Sequence, residues 1–534
     1  MPRRIILLSG HVASGKSTLA AQLAKRHELV RFKTQDLIKH QTGATPERAA
    51  LQAAGEALDE ETGGRWVCDA VTRALQQYPE DVTVIVDAVR LRSQCDAFRQ
   101  AYNRRVIHVH LTASVSVLAA RYAERHGSIR ELPRYDDVLL DKTEAQVDSL
   151  AKIADIVIDT EQSTEQDVFI RAASLLGVLG RGVERLVDVL VGGQWGSEGK
   201  GNVCAHLAPE YDLLVRVGGP NAGHAVYEEP KPQKFFHLPS GTVRAPNAKI
   251  VLGPGSTLWL PKLQDEIAQC ELEPERLCID PQAMMIEQAD REFESGLKKD
   301  IGSTAQGVGA ATARKLLRTS ANPPVRLAKD VPELRPYLRE TLSVLDDAFA
   351  AGKHVFLEGT QGTGLSLHHG SYPYVTSRDT TVSGCLADAG IAPSRVRRIV
   401  MVCRTYPIRV ESPPGGTSGP MGKEIDWDTV AQRAGLNAKE IAEAEKTTTT
   451  NRQRRVAEFN WSLLRQAVSL NGPTDIALSF SDYISKQNTE ARRFEQLTPP
   501  TLQLIEEIER VASAPVSLIV TRFAYRNIID RRTW

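Results

Sequence analysis

The sequence predicts an α/β protein with two P-loop-type domains, each a mostly parallel sheet flanked by helices. The apolar segment 4–8 (RIILL) runs into a glycine-rich turn and then an amphipathic helical pattern, as buried parallel strands commonly do. A second glycine-rich turn of this kind follows Val189. The chain has 534 residues, enough for two or three domains. We expect a first domain over residues 1–178, a glycine-containing linker over 179–184 and a second domain over 185–534.

The composition is that of a soluble globular protein, with 42% apolar and 25% charged residues. Lysine plus arginine equals aspartate plus glutamate, at 66 each, so no basic field favours a nucleic-acid polymer as partner. The seven cysteines include no CxxC pair and fit reduced thiols. The apolar run before Ser9 is too short for a signal peptide, and no segment predicts a membrane span. We therefore expect a cytoplasmic protein without a membrane partner.

The first strand leads into the motif GxxxxGK[ST], which begins at Gly10 and ends at Ser17. In its context between a strand and a helix, this motif predicts a phosphate-binding loop, with Lys16 on the phosphates and Ser17 on Mg²⁺. The predicted strand 82–87 ends in Asp87, where a Walker-B carboxylate would lie near Mg²⁺. The expected nucleotide-binding residues here are Gly10, Ser14, Gly15, Lys16, Ser17 and Thr18.

Several charged residues of the first domain have two interpretations. Arg90 is expected to reach an acceptor phosphate, and Arg121, Arg125, Arg130 and Arg134 either clamp phosphates or form a solvated face. Asp36 either faces an acceptor nucleotide or caps a helix. Residues 1–178 resemble small nucleoside-monophosphate kinases, and the segment Asp87–Arg90 is most similar to the phage-type deoxynucleoside-monophosphate kinases. A regulatory nucleotide switch is the alternative.

The second domain opens with two glycine-rich strand ends. Residues 192–201 (GGQWGSEGKG) carry Lys200, and residues 218–224 (GGPNAGH) end in His224. Backbone amides at such turns bind phosphates, and a lysine beside a histidine favours phosphoryl transfer with an acid or electrostatic helper.

These two segments resemble the QWGDEGKGK and NAGH loops of adenylosuccinate synthetases, and the segment EGTQGT at Glu358 resembles that family's EGAQGT. The resemblance covers the chain from Glu184 almost to its end. It implies catalytic roles for Ser197, Lys200 and His224, cofactor binding by Gly196, Glu198, Gly199, Gly201 and Asp482, and Mg²⁺ ligands at Ser197 and Gly223. The implied partners are L-aspartate and a purine nucleoside monophosphate.

Further motifs in the family's order imply the substrate-binding residues. The loop at 301–309 (IGSTAQGVG), the segment HGSYPYVT and the segment TTNRQRR each match a family motif. Arginines two residues apart in a loop are suited to bind a dicarboxylate. The implied residues are Asn221, Thr304, Arg318, Gln361, Thr376, Thr450, Arg452 and Arg454. In the family the arginine matching Arg318 crosses a dimer interface, which implies a homodimer with shared active sites.

Two departures from the family concern specificity. Ser197 stands where the family has its catalytic aspartate, and Phe480 replaces a lysine two residues before Asp482. A serine hydroxyl is a poor base near pH 7 and leaves room beside the purine N1–C2 edge. This pattern resembles the phage-type N6-succino-2-amino-deoxyadenylate synthetases, which implies dGMP (or GMP) as substrate and ATP, dATP or GTP as donor. The alternatives are an inosinate-dependent enzyme and a nucleotide-sensing protein without ligase activity.

Overall fold

The computed structural model describes residues 2–27, 29–124, 135–139, 144–179, 184–227, 232–446, 453–522 and 526–532. The chain divides into two compact units, Met1–Arg181 and Gly182–Trp534, and the division falls inside the expected linker 179–184. Each unit has its own buried apolar clusters. Both are α/β units with parallel sheets, which confirms the predicted fold class.

The first unit contains a five-stranded parallel sheet in the order β2-β3-β1-β4-β5. Its strands are β1 (Arg4–Gly10), β2 (Val30–Lys33), β3 (Thr83–Asp87), β4 (Val106–Thr112) and β5 (Ile156–Asp159). Its helices are α1 (Lys16–His27), α2 (Thr34–Thr42), α3 (Arg48–Thr62), α4 (Trp66–Leu75), α5 (Arg92–Tyr102), α6 (Val115–Ala123), α7 (Tyr135–Leu139), α8 (Glu144–Ala151) and α9 (Glu165–Leu175).

The second unit is built on a nine-stranded sheet in the order β12-β10-β7-β14-β6-β15-β19-β20-β21, in which the β20–β21 pair alone is antiparallel. The strands of the second unit, including those that lie in smaller sheets, are β6 (Val187–Gly192), β7 (Leu213–Arg216), β8 (His224–Val226), β9 (Gln233–Phe235), β10 (Lys249–Leu252), β11 (Thr257–Leu258), β12 (Leu277–Ile279), β13 (Met284–Met285), β14 (Val355–Glu358), β15 (Val396–Arg404), β16 (Ile408–Arg409), β17 (Glu424–Ile425), β18 (Arg455–Ala457), β19 (Asp475–Ser479), β20 (Val516–Val520) and β21 (Ile528–Asp530).

Helices cover the second sheet, and its central strands carry the predicted loops. The helices are α10 (Lys200–Leu207), α11 (Leu260–Gln269), α12 (Gln288–Phe293), α13 (Leu297–Asp300), α14 (Val308–Leu317), α15 (Thr341–Ala350), α16 (Val382–Ala389), α17 (Trp427–Ala434), α18 (Ala438–Ala444), α19 (Trp461–Asn471) and α20 (Pro499–Ala512). Strand β6 is fully buried, as an apolar strand between two parallel neighbours should be.

The strand order decides which loops meet. Strands β7, β14, β6, β15 and β19 are consecutive neighbours, and all five run parallel. Their carboxyl ends therefore lie along one edge of the sheet, where ligands of open α/β folds bind. This edge therefore carries four of the predicted segments: the glycine-rich loops after β6 and β7, the EGTQGT segment at the end of β14 and the residues after β19.

Candidate active sites

The loop after β6 folds around the carboxylate of Glu198. Glu198 Oε1 accepts hydrogen bonds from the backbone amides of Gln194 (3.2 Å) and Gly196 (2.8 Å), and its side chain is fully buried. Ser197 adopts a left-handed backbone, with φ 56°, and is exposed. The structure thus turns Glu198 into the loop and leaves Ser197 at the surface of the site.

Lys200 begins helix α10 and is bound to the same carboxylate. Its Nζ lies 2.5 Å from Glu198 Oε2, and the lysine side chain is 2% exposed. Gly199 precedes it at φ 83°, and a Cβ on Gly201 would lie 2.9 Å from the carbonyl oxygen of Ala225 in β8. The glycines therefore permit the sharp turn into α10 and its close packing on the strand that starts with His224.

His224 is held by a buried polar network that joins four segments. Its Nδ1 contacts Glu358 Oε1 at the end of β14 and lies 3.3 Å from Ser240 Oγ. Arg216, at the end of β7, donates to Glu358 Oε1 at 3.4 Å and to the carbonyl oxygen of Ala222 at 2.9 Å. With Nδ1–H assigned as donor to this carboxylate, Nε2 is the ring nitrogen that carries the lone pair. Glu358, Arg216 and Ser240 are site residues to which the sequence analysis gave no role.

Burial lowers the pKa of His224 to about 4, from 6.5. Between pH 6.5 and 4 the unfolded chain therefore binds a proton here that the folded chain excludes, and stability falls as the pH drops. We expect this residue to account for up to about 3 kcal/mol of lost unfolding free energy across that window. Chemical denaturation at pH 7, 6, 5 and 4, followed by tryptophan fluorescence, should show a flatter pH dependence for His224→Gln than for the wild type.

A second group limits the pH range of that comparison. Burial alone would raise the pKa of Glu358, but the charges of Arg216 and His224 outweigh it and lower this pKa to about 2. The contribution of Glu358 is thus complete above pH 4.5 and is lost as the pH falls toward 2. Equal slopes for His224→Gln and the wild type between pH 6.5 and 4.5 would contradict the assignment to His224.

Three of the residues implied for purine binding lie together. Thr376 Oγ1 accepts hydrogen bonds from Asn221 Nδ2 (3.2 Å) and Gln361 Nε2 (3.1 Å). Asn221 Oδ1 is buried and has no hydrogen-bond partner in the part of the chain that the structure describes. A buried amide oxygen without a partner costs about 1–3 kcal/mol, which a ligand N–H can relieve.

The loop expected to bind a nucleotide phosphate has an internal acidic partner. The carboxylate of Glu294 accepts from the amides of Gly307 (2.7 Å), Gly309 (2.5 Å) and Ala310 (3.1 Å) at the start of α14. Because these amides are occupied, the segment left for a phosphate is the half-buried one around Thr304. Arg318, just past the end of α14, is exposed.

Arg454, implied to bind aspartate, contacts a buried carboxylate. Its NH1 lies 3.1 Å from Glu445 Oε2, while Glu445 Oε1 accepts from Arg404 NH2 (2.7 Å) and from the Tyr483 hydroxyl (2.9 Å). Burial alone would raise the pKa of Glu445, but the two guanidiniums outweigh it and keep this pKa low. Thr450 and Arg452 lie outside the described residues.

Arg404 connects this cluster to the loop after β6. Its NH1 donates to the carbonyl oxygen of Ser197 (3.3 Å), and its guanidinium carbon lies 3.9 Å from the centre of the Phe480 ring. A stacked guanidinium on an aromatic ring is a favourable arrangement when both are buried. Phe480, the replacement for the family's lysine, thus forms part of a packed Arg404 environment.

Asp482 follows in the same segment, and its carboxyl group makes few hydrogen bonds. Its Oδ1 is buried without a hydrogen-bond partner among the described residues, and burial raises the pKa of this carboxyl to about 7. A carboxyl with this pKa exists in both protonation states near neutral pH. It can accept two hydrogen bonds when ionised, or accept one and donate one when protonated.

In the first unit, the residues of the phosphate-binding loop line one side of a cleft of about 780 Å³, as does Asp87. Lys16 Nζ donates to the carbonyl oxygens of Gly10 (2.6 Å) and His11 (2.5 Å). Ser17 Oγ lies 3.3 Å from Asp87 Oδ1, and Arg31 NH2 lies 2.5 Å from Asp87 Oδ2. The predicted nucleotide-binding residues that line the cleft are Ser14, Gly15, Lys16, Ser17 and Thr18, whereas Gly10 is not among the lining residues.

Other predicted residues of this unit have protein partners. Arg90 pairs with Glu144, whose other oxygen contacts His11 Nδ1 at 3.2 Å. Arg121 donates to Thr160 Oγ1 (2.9 Å) and to the Thr160 carbonyl oxygen (2.7 Å), which supports a structural role. Asp36 is exposed in the first turn of α2, 3.7 Å from Lys39 Nζ. Arg125, Arg130 and Arg134 lie outside the described residues.

The oxygen ligands differ between the two sites. The pair Ser17 and Asp87 offers a hydroxyl and a carboxylate, which suits Mg²⁺ bound together with nucleotide phosphates. In the second unit, the implied ligands Ser197 and Gly223 supply neutral oxygens, so the phosphates would carry the charge. Among the described residues there is no group of three or more His, Cys, Asp or Glu side chains arranged for a metal.

Fold and site together define an α/β nucleotide-binding enzyme with loops at the carboxyl edge of a parallel sheet. The model of the adenylosuccinate synthetase family matches residues 189–323 and 325–490. The chain belongs to the adenylosuccinate synthetase family and is a ligase of that type. Ahead of this part, residues 5–151 match a family described as an AAA domain, consistent with the observed phosphate-binding loop.

Relatives and solved structures agree with this membership. The adenylosuccinate synthetase of Pyrococcus sp. (strain ST700) is 36% identical over 357 residues, which cover 64% of this chain and 98% of the relative. That of Methanocaldococcus jannaschii is 35% identical over 353 residues, covering 64% and 96%. The fully ligated enzyme of Plasmodium falciparum shares the fold, with a TM-score of 0.57, 22% identity, and 65% and 100% of the chains covered.

A phage structure is also similar. The succinoaminodeoxyadenylate synthetase of cyanophage S-2L, bound to dGMP and to dATP as an energy donor, is 29% identical with a TM-score of 0.55, covering 66% of this chain and 96% of that one. In the described part of the present chain, no helix is both long and apolar enough to cross a membrane.

Proposed function

We propose that the second unit joins L-aspartate to the 6-oxo position of a 2-aminopurine monophosphate, dGMP or GMP, to give N6-succino-2-amino-(deoxy)adenylate. In this reaction the N1 proton of the base is released to solvent and O6 attacks the γ-phosphorus of the donor. The bond from that phosphorus to the β–γ bridging oxygen breaks, and the nucleoside diphosphate leaves with the electron pair. The amine of aspartate then displaces phosphate from C6. The observation that carries this proposal is Ser197, exposed beside Lys200 where the family has an aspartate.

Ser197 selects the substrate in this proposal. A serine hydroxyl lacks the basicity to deprotonate N1 of either hypoxanthine or guanine, so the selection in this proposal comes from contact with the 2-amino group. It is shorter than aspartate and can accept a hydrogen bond from a 2-amino group. The cyanophage enzyme bound to dGMP, at 29% identity, supports this assignment.

The remaining residues take roles that their contacts support. Lys200 and the amides of the loop after β6 neutralise the transferring phosphoryl group, and His224, oriented by Glu358, stabilises it at O6. Asn221, Gln361 and Thr376 bind the purine nucleotide. Arg454 binds the aspartate carboxylates, and Mg²⁺ supplies further charge stabilisation on the phosphates.

ATP or dATP is the proposed phosphate donor, with GTP as the alternative. Guanine offers two N–H donors, which suit an ionised carboxylate, whereas adenine offers one donor and one acceptor. A protonated Asp482 matches the adenine edge, and its pKa of about 7 makes that form available at neutral pH. We also propose a homodimer in which the exposed Arg318 reaches the partner's nucleotide.

A substrate comparison tests the ligase proposal. Phosphate release is measured with L-aspartate, Mg²⁺ and ATP, using dGMP, GMP or IMP, and mass spectrometry identifies the succino adduct. We expect turnover with dGMP or GMP at least about tenfold faster than with IMP, as expected when a site rejects a substrate lacking one hydrogen-bonding group. Turnover with IMP alone would overturn the proposal in favour of an ordinary adenylosuccinate synthetase. No adduct with any of them would favour a nucleotide-sensing role.

For the first unit we propose a second activity, the phosphorylation of a nucleoside monophosphate. It is supported by the cleft that contains Lys16 and Ser17, with Asp87 placed 3.3 Å from Ser17 Oγ. Lys16→Ala should reduce formation of ADP and nucleoside diphosphate by at least about 100-fold, because the lysine neutralises the transferring phosphoryl group. The ligase activity of the same variant is the internal control and should stay within twofold of the wild type, at about the precision of such assays. Unchanged ADP formation would contradict the kinase assignment.

A further inference from the structure

One face of helix α3 forms a wall of the cleft in the first unit. Leu51, Gln52, Gly55, Glu56 and Asp59 all line the cleft. Their spacing of three and four residues places them on a single helix face. This wall is separate from the phosphate-binding loop, and the kinase reaction as described so far leaves it without a role.

Gly55 lies in the middle of this wall, where α3 packs against helix α2. A Cβ at this position would lie 3.2 Å from Ile38 Cδ1 in α2. A glycine inside a helix costs about 1 kcal/mol relative to alanine. The glycine in the third turn of α3 therefore allows helices α2 and α3 to pack closely, and Ile38 lines the cleft beside it.

Asp59 is held in a fixed orientation at the end of the wall. Its Oδ1 accepts from Trp66 Nε1 at 2.7 Å and from Gln94 Nε2 at 2.9 Å, while Oδ2 receives the longer, 3.2 Å bond from Gln94. Trp66 and Gln94 are each 3% exposed, whereas Asp59 is half-buried and faces the cleft. An oriented carboxylate in an apolar surrounding is a strong hydrogen-bond acceptor for an N–H group.

Gln94 links Asp59 to the phosphate end of the cleft. Its Oε1 accepts from the backbone amide of Arg90 at 2.9 Å, three residues beyond Asp87. Asp87 in turn contacts Ser17 in the phosphate-binding loop and Arg31. The α3 face, Trp66 and Gln94 therefore line the same cleft as the phosphate-binding loop. Lys16 at the loop and the carboxylate of Asp59 on the wall suit the phosphate and base ends of a nucleotide.

We propose that the wall formed by α3, Trp66 and Gln94 binds the acceptor of the kinase reaction, a nucleoside monophosphate whose base carries an exocyclic amino group donated to Asp59. This inference rests on the kinase function proposed above. A phosphate oxygen of the acceptor attacks the γ-phosphorus of ATP, the bond to the β–γ bridging oxygen breaks, and ADP leaves with that electron pair. Asp59 selects the acceptor and exchanges no proton.

The test uses pairs of acceptors that differ in the amino group, namely dGMP against dIMP and dCMP against dUMP. The full-length chain is incubated with ATP and Mg²⁺, and the diphosphate product is separated by chromatography. For at least one pair, kcat/KM should be about tenfold higher with the amino member. Asp59→Asn should raise the KM of that acceptor about tenfold and bring the ratio within the pair close to one, with kcat and the KM for ATP little changed.

A control variant on the same helix separates the role of Asp59 from effects on folding. Glu60→Gln, on the exposed side of the same helix, is the matched control and should behave as the wild type. Equal rates for both members of each pair, or wild-type selectivity in Asp59→Asn, would overturn the role of Asp59 while the kinase function stands. Failure of all monophosphates as acceptors would overturn both.

Discussion

Replacing Ser197 with aspartate is expected to give the ligase turnover with IMP and to reduce its turnover with dGMP. A carboxylate at this position can remove the N1 proton of inosinate, and general-base catalysis contributes about 10²–10⁴-fold. The longer side chain also crowds the 2-amino group of dGMP. We expect the ratio of kcat/KM for dGMP over IMP to fall by at least about 100-fold, measured by phosphate release with saturating aspartate and ATP.

The backbone at this position makes the substitution informative. Ser197 has φ 56°, a conformation that aspartate and asparagine tolerate better than most residues. Ser197→Asn is therefore the matched control, since it has the shape of aspartate without a basic carboxylate. IMP turnover by both variants, or by neither, would contradict the role of Ser197 as the position that determines the base.

The sequence predicted the strands and turns whose conformation depends on neighbouring residues. Strand β3 was expected at 82–87 and is observed at Thr83–Asp87, and the strand expected at 4–8 extends over Arg4–Gly10. Apolar runs and glycine turns are determined by neighbouring residues, so sequence patterns report them directly. The same holds for Lys16 and Ser17, which belong to one local motif, whereas Asp87 reaches their cleft because β3 pairs with β1.

The partners of the predicted residues were not predictable in the same way. His224 contacts Glu358, 134 positions away, because β7 and β14 are neighbours in the sheet. Periodicity identifies a strand without giving its place in the sheet order. Glu358 begins the recognised motif EGTQGT at the end of a strand, so the sequence could have indicated it as a site residue. Glu294 and Glu445 lie in no such motif, and their roles depend on tertiary packing alone.

Glu198 shows how the contacts of a motif residue depend on the fold of its loop. The family resemblance of its loop implied that Glu198 binds the cofactor. In the structure its carboxylate is buried and contacts Lys200 and two loop amides. We propose that it shapes the loop and orients Lys200. Burial of a side chain depends on the fold of the whole loop, which the residue type does not reveal.

The second large effect is expected at Glu445, where Glu445→Gln should destabilise the second unit and weaken aspartate binding. Glu445 is 1% exposed and is shared by Arg404 and Arg454. Removing its charge leaves Arg404, whose side chain is 0% exposed, as an unpaired buried cation. Breaking a buried ion pair in this way costs about 3–5 kcal/mol. Denaturant unfolding followed by tryptophan fluorescence measures this loss.

The same substitution should change catalysis in a defined way. Arg404 donates to the carbonyl oxygen of Ser197, and Arg454 is the proposed aspartate ligand. Glu445→Gln removes the charge that holds both guanidiniums in position, so Arg454 is no longer oriented toward aspartate. We therefore expect the KM for aspartate to rise by about tenfold. The KM for ATP in the kinase reaction of the first unit should stay unchanged. Glu443→Gln is the matched control, because Glu443 lies two residues earlier with a side chain 73% exposed. Its stability should change by less than about 0.5 kcal/mol, as for other exposed pairs. Equal stability of the two variants would show that Arg404 finds another partner and would remove Glu445 from the aspartate site.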